Sequence, residues 1–295
     1  MFFSVSHLLL IAVAAIWGFA FVAQSAGMDH LGPHSFNAAR FLLATLSLLP
    51  LWFMMRHKRE KQGKALIWGG IAAGIVMFGG FTMQQVGLLD TTAGNAGFIT
   101  GMYIVLVPIA GVLLGHSTNM QTWAGLILAV LGLYSLTIGP NFSMGQGDLL
   151  VLIGAFFWTG HVLIIGWISR KVDAISLSIV QFVVATVLAT GFAVALETPD
   201  MGGFTSAWLP LVYAGVASSG IAFTLQAIAQ RKVEPSVTAL ILSTEAVFAV
   251  LGGCLLLDEP FGAKEALGCG LMMIGMVVTQ WPVKRRNDVV AEPLS

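Results

Sequence analysis

The chain has 295 residues, 57% of them hydrophobic and 9% charged, with a formal net charge of zero. A soluble domain usually carries about a quarter charged residues, so water is not the main solvent here, and the neutral balance gives no footprint for nucleic acid. At about 20 apolar residues per bilayer crossing plus a short connector, the length fits about ten helices and leaves no room for a separate soluble domain.

Apolar runs long enough to span are read at about Ser6 to Gly27, His34 to Met55, Ala65 to Gly87, Ala93 to Leu114 and Thr122 to Gly139. Five more follow at about Asp148 to Ser169, Ile175 to Leu196, Ala207 to Ala229, Ser236 to Leu257 and Ala266 to Pro282. The first run has neither a positive n-region nor an Ala-x-Ala cleavage pattern, so it is expected to be a retained helix. The connectors hold Pro33, Pro140, Pro199, Pro235 and Pro260, where helices must start or stop. The Gly70/Gly74, Gly97/Gly101 and Gly111/Gly115 stripes are expected to be close helix crossings, and Pro108 a flexible point in helix four. Cys254 and Cys269 lie in apolar runs and read as small buried hydrophobes.

Of the 14 lysines and arginines, Arg40 lies inside a helix and Lys264 in a connector of one side. The other twelve fall on the opposite side of a ten-helix arrangement: Arg56 to Lys64, Arg170 and Lys171, Arg231 and Lys232, and Lys284 to Arg286. The positive-inside rule makes that side cytoplasmic and places both termini there.

The two halves resemble each other. Trp17 matches Trp158, and Arg40-Phe-Leu-Leu-Ala-Thr matches Gln181-Phe-Val-Val-Ala-Thr, at an offset of 141. Phe81-Thr-Met-Gln84 matches Phe223-Thr-Leu-Gln226 at 142, and Gly125 with Gly132 matches Gly268 with Gly275 at 143. Five helices is an odd number, so the second copy enters the membrane from the opposite side. The reading is an all-α membrane protein of ten transmembrane helices in two inverted five-helix repeats, residues 1–140 and 141–283, with a cytoplasmic tail over 284–295.

Further stretches carry a resemblance to a known family. They are Ala15-Ile-Trp-Gly-Phe-Ala-Phe-Val, Asn37-Ala-Ala-Arg-Phe-Leu-Leu-Ala, the block from Thr91 to Gly101 leading to Val107-Pro108, and Ser243-Thr-Glu-Ala-Val-Phe-Ala-Val running to Leu257-Asp-Glu-Pro. Over about His7 to Trp281 the chain resembles the EamA-type permeases of the drug/metabolite transporter superfamily. One departure is that Asp258-Glu259 ends helix nine where the first copy has Gly115-His116. The resemblance implies a secondary transporter of small, amino-acid-like or related solutes in a bacterial inner membrane, with export expected over import. A membrane-embedded enzyme or lipid-handling scaffold is the alternative. Expected partners are a small solute and the bilayer, with protons as a candidate coupling ion, a homodimer as one open arrangement, and no nucleic acid.

An ionisable side chain at mid-membrane is costly and is by default a functional candidate. Arg40 lies about 9 Å below the outer boundary of the hydrocarbon core, and Glu245 about 15 Å in, near the midplane. By the repeat offsets they correspond to Gln181 and Tyr103. Arg40 is expected to meet an anionic group of the substrate, and Glu245 to carry a proton or face a substrate amine. The other candidates for the substrate site are Trp17, Trp158, Gln84, Asn95, Gln226, Thr238 and His161. Thr238, seven residues from Glu245, is expected to share its face. Gln24, Thr100 and Ser218 are further polar residues at the same depth. Gly32 and Pro33 break the helix that would align His30 with His34, so no metal is expected, and no cofactor. No P-loop or Gly-x-Ser-x-Gly motif is present to suggest an ATP-driven pump or a serine hydrolase.

Overall fold

A computed structural model describes residues 4–55, 63–91, 93–115, 118–137, 144–198, 200–256 and 261–281, except the side chains of 93–95, 137, 253, 256 and 280. The candidate Asn95 side chain, the Arg56–Lys61 cluster, His116, Asp258-Glu259 and the tail from 282 therefore lie outside the described residues.

All described secondary structure is helical. The first three crossings are α1 (Val5–Met28), α2 (Pro33–Met55) and α3 (Gly63–Gly87). The fourth is divided into α4 (Ala93–Gly101) and α5 (Tyr103–Leu113), and the fifth is α6 (Met120–Thr137). In the second repeat, α7 (Gln146–Ile168) and α8 (Ala174–Leu196) are continuous, and a short α9 (Met201–Ser206) precedes the eighth crossing. That crossing joins α10 (Trp208–Val212), a π-helical segment over Tyr213–Ile221 and α11 (Ala222–Ala229). The ninth is divided into α12 (Pro235–Leu242) and α13 (Glu245–Leu256), and α14 (Ala263–Gln280) is the tenth. Among the described residues, eight crossings are long and apolar enough to span by composition, and α6 is a shorter apolar helix. Large apolar side chains such as Val194, Leu255 and Trp68 remain exposed, as lipid contact allows.

Packing follows the internal two-fold pseudosymmetry. α1 packs on α13, and its mate α7 packs on α4 and α5. α3 packs on α7 as α1 does on α11, and α3 on α8 as α2 does on the π-helical segment. α6 and α14 face each other across the axis. There the matched glycines meet, Gly132 against the backbone of Gly268 and Gly125 against that of Gly275. Lipid offers no hydrophobic drive for helix association, so backbone approach of this kind supplies dispersion contacts that a Cβ would block. Gly70 and Gly74 likewise seat α3 on Val180, Gln181 and Val184 of α8. Gly101 meets Leu133, whereas Gly97 has only Phe21 at 3.9 Å.

Three expectations are corrected. Gly115 is not a crossing residue: its φ of +84° makes it the left-handed terminator after α5, with nothing near its missing Cβ. Helix four does not break at Pro108, which sits within α5, but at Met102, where i to i−3 bonds replace the α pattern (Met102 N–H to Ile99 O, 3.1 Å; Val105 N–H to Met102 O, 3.0 Å). Helix nine is not continuous either. At Ser243-Thr244 both hydroxyls donate back to carbonyls, of Leu240 at 2.8 Å and Ile241 at 2.6 Å, and compete with the helical ladder.

Candidate functional site

The two broken crossings meet at their breaks. Tyr103 opens α5 and Glu245 opens α13. Repeat mates touch only at the pseudosymmetry axis, and the Tyr103 hydroxyl donates to Glu245 Oε1 at 3.4 Å. Gly18 of α1 makes room for this arrangement, since a Cβ there would lie 2.6 Å from the Glu245 carbonyl oxygen. Gly18 thus lays bare backbone against the break in the ninth crossing, while the neighbouring Trp17 turns to the eighth, donating its indole N–H to the Ser218 carbonyl at 2.9 Å.

Beside the Tyr103–Glu245 contact lies a narrow cavity of about 40 Å³. Thr100 and Tyr103 of the fourth crossing, and Leu242 and Glu245 of the ninth, bring both breaks to its wall. Its apolar side is aromatic. Trp17 lies 4.6 Å from Phe223, and Phe81 4.7 Å edge-on from Trp158, centroid to centroid. The His161 ring stands edge-on to Phe223 at 5.4 Å. The polar side comprises Gln24, Gln84, Ser218 and Gln226 with the two axial residues.

Of the residues singled out from the sequence, Trp17, Gln84, Tyr103, Trp158, His161, Gln226 and Glu245 line the cavity. Arg40, Gln181 and Thr238 do not. Arg40 is fully buried behind the wall. Its guanidinium donates to Gln24 Oε1 (3.0 Å), Ser219 Oγ (3.2 Å), Ser218 Oγ (3.3 Å) and the Ala214 carbonyl (3.5 Å), and it lies 4.1 Å from the Phe81 centroid. It has no carboxylate partner among the described residues. Three of those acceptors sit on the π-helical segment. Arg40 therefore ties α2 to that segment and to Gln24. Gln181 faces the back of His161, with 3.0 Å between His161 Nε2 and Gln181 Oε1. Thr238 is fully buried in α12 with its hydroxyl unpartnered, because the break at Ser243-Thr244 destroys the seven-residue register that would have aligned it with Glu245.

A hydrogen-bond relay runs from Arg40 along the cavity. Gln24 Oε1 also accepts from Gln84 Nε2 (3.2 Å), and Gln84 Oε1 accepts from Trp158 Nε1 (3.2 Å) and Thr100 Oγ1 (3.4 Å). Gln24, Thr100 and Ser218 were visible in the sequence as polar residues at the right depth, but depth does not say which way a side chain turns. Phe81 and Phe223 stood out only as members of the repeat.

The sequence profile of the EamA-like transporter family matches this chain twice, over residues 4–138 and 145–281. The chain belongs to the EamA-like transporter family. An uncharacterized transporter of Archaeoglobus fulgidus is 32% identical over 270 residues, covering 91% of this chain and 83% of the relative. The uncharacterized inner membrane transporter YedA of Escherichia coli K12 is 24% identical, covering 91% of this chain and 88% of its own. The uncharacterized transporter YoaV of Bacillus subtilis is 23% identical, covering 94% and 97%. One solved crystal structure superposes with a TM-score of 0.79 over 94% of this chain and 98% of that one at 17% identity, a likeness of fold. This family member is thus a multi-pass membrane transporter of two repeats, with its axial cavity as the candidate substrate site.

Proposed function

We propose that this protein is a secondary transporter that moves small amphipathic metabolites by alternating access, one repeat rocking against the other around the axial cavity. The observation that carries the reading is the meeting of two repeat-related broken helices at a cavity lined by a buried carboxylate. Interrupted helical bonding at membrane depth is tolerated only where it is covered by protein or lines a cavity, and discontinuous helices are where such proteins build their sites. Because Tyr103 and Glu245 each begin a half-helix from a different repeat, relative motion of the repeats changes the contact between them. Glu245 is then the coupling residue, binding a proton or a substrate amine. The family resemblance implies amino-acid-like or related solutes, of which those bearing an amine can meet Glu245, and export is the proposed direction. A bacterial inner membrane with both termini cytoplasmic is the proposed setting, supported by the lysine and arginine distribution and by the inner-membrane relative.

The test is uptake and counterflow in proteoliposomes against amino acids, amines, nucleobases and sugars, with Glu245→Gln as the key variant. That change keeps size and hydrogen bonding but removes titration. The expected result is loss of pH-driven uptake with folding retained. Normal pH-dependent transport by the variant eliminates Glu245 as the coupling residue.

A further inference from the structure

We propose that the ligand of the axial cavity is a monovalent organic ammonium ion carrying an aromatic or bulky apolar group, its N–H donors shared between Gln226 Oε1 and the Glu245 carboxylate. The inference rests on the reading of this cavity as the transport site and names the chemistry of its ligand.

Comparing the two repeats isolates the open groups. Gln84 and Gln226 are mates at an offset of 142. Gln84 Oε1 is saturated by Trp158 Nε1 and Thr100 Oγ1. At Gln226 both donors are missing. The mate of Trp158 is Trp17, whose indole N–H instead donates to the Ser218 carbonyl of the π-helical segment at 2.9 Å, and the mate of Thr100 is Leu242, which has no hydroxyl. Gln226 is 1% exposed, its amide nitrogen is held by Gln230 Oε1 at 2.9 Å, and its carbonyl oxygen has no partner. A buried amide oxygen left unpaired is costly, so its place on the cavity wall asks for a donor from outside the protein.

The rest of the wall points the same way. Glu245 receives a single long bond from Tyr103 and no cation among the described residues. The donors that a carboxylate or phosphate would need are already used: both indole N–H groups by Ser218 and Gln84, the tyrosine by Glu245, the threonine by Gln84. Arg40 is behind the wall with its own acceptors, and it already occupies one face of Phe81. The open oxygens of Gln226 and Glu245 are acceptors, and the apolar surface is made of aromatic faces, which attract cations and accommodate rings. An ammonium ion attached to a ring satisfies both, whereas a carboxylate added to it would meet only the Ser218 hydroxyl, which already accepts from Arg40, as a donor.

Three probes of nearly one shape decide the matter. Phenethylamine, phenylalanine and 2-phenylethanol differ in charge while keeping the ring, and their binding to the full-length protein in nanodiscs is measured by calorimetry. The expected result is phenethylamine binding at least about tenfold tighter than the other two, the tenfold being lost in Glu245→Gln. Leu242→Thr, which gives Gln226 the hydroxyl its mate already has, is expected to weaken phenethylamine about three- to tenfold with the melting temperature retained. Equal or tighter binding of phenylalanine or the alcohol, binding of none, or an unchanged phenethylamine affinity in Glu245→Gln overturns the ligand class. If the proteoliposome screen still finds a transported solute in those cases, the transporter reading stands and only the ammonium inference falls.

Discussion

Replacing Arg40 with lysine separates a wall-organising role from direct substrate contact. The guanidinium reaches two elements at once, Gln24 on α1 and the Ser218, Ser219 and Ala214 acceptors on the π-helical segment. Lysine presents its donors from a single nitrogen and cannot span both, so it keeps one side and abandons the other. The bonds lost are one or two, each with a charged donor and worth about 1.5–3 kcal/mol, which gives a destabilisation of about 1.5–6 kcal/mol. For a chain of this size, at about 2–3 °C per kcal/mol, the apparent Tm falls by about 3–18 °C. Because Gln24 Oε1 also holds Gln84, the cavity wall loosens together with the fold, and affinity for any ligand, charged or neutral, drops with stability. Thermal unfolding in detergent and calorimetric binding are run on Arg40→Lys, Gln24→Leu and the double variant. A shared pathway makes the double effect smaller than the sum by about 1 kcal/mol. If Arg40→Lys leaves Tm unchanged and loses affinity only for anionic ligands, Arg40 reads the substrate directly and the structural argument is wrong.

Two other perturbations test the frame. A Cβ at Gly132 would lie 2.6 Å from the Gly268 carbonyl oxygen and 2.8 Å from Met272 N, so α6 and α14 must part. Gly132→Ala is expected to cost about 1–3 kcal/mol. Gly268→Ala across the same crossing then adds less than it costs alone, and full additivity in thermal unfolding would mean the two glycines do not share one contact. A cysteine at Asp200, the N-cap of α9, is expected to label from outside intact cells; labelling only after permeabilisation reverses the topology.

The order of the crossings, their duplication and the placing of rare polar residues within them are legible because each leaves a mark on composition: a long apolar run, a repeated Trp or Phe-Thr-x-Gln, a lone acid. Rotation about the helix axis leaves almost none in a helix that is apolar all round. Depth alone points Glu245, Trp158 and Arg40 all at the substrate, whereas in the structure Glu245 and Trp158 line the cavity and Arg40 turns to Gln24 and Ser219. The breaks were missed for another reason. Proline 108 is the conventional marker, yet α5 absorbs it, and the helices part at Met102 and Ser243-Thr244, where only the paired hydroxyls of the second site hint at competition with the ladder. The π-helical segment ends near Ser218-Ser219-Gly220, and its consequence is specific: it offers Trp17 a carbonyl and thereby leaves Gln226 open.

The difference between Tyr103 and Glu245 has its own logic. A duplicated sequence folded about a pseudo-two-fold axis brings mates into contact on that axis, so identical residues would give two tyrosines without charge or two carboxylates in contact. Like charges at this distance in a dry site cannot both ionise without a large penalty. One carboxylate with one hydroxyl donor resolves the conflict, and because the arrangement needs one of each rather than a particular order, it makes a prediction. Tyr103→Glu alone places two carboxylates on the axis and is expected to lower Tm by several degrees at neutral pH. Adding Glu245→Tyr restores one acid and one hydroxyl in exchanged positions, and most of that loss should be recovered. Ligand binding should not recover fully, since the open Gln226 has not been exchanged with its saturated mate Gln84. Thermal unfolding of the four proteins at one pH decides it: an exchanged pair no more stable than Tyr103→Glu would show that packing around each position, not the pairing of unlike groups across the axis, fixes which residue stands where.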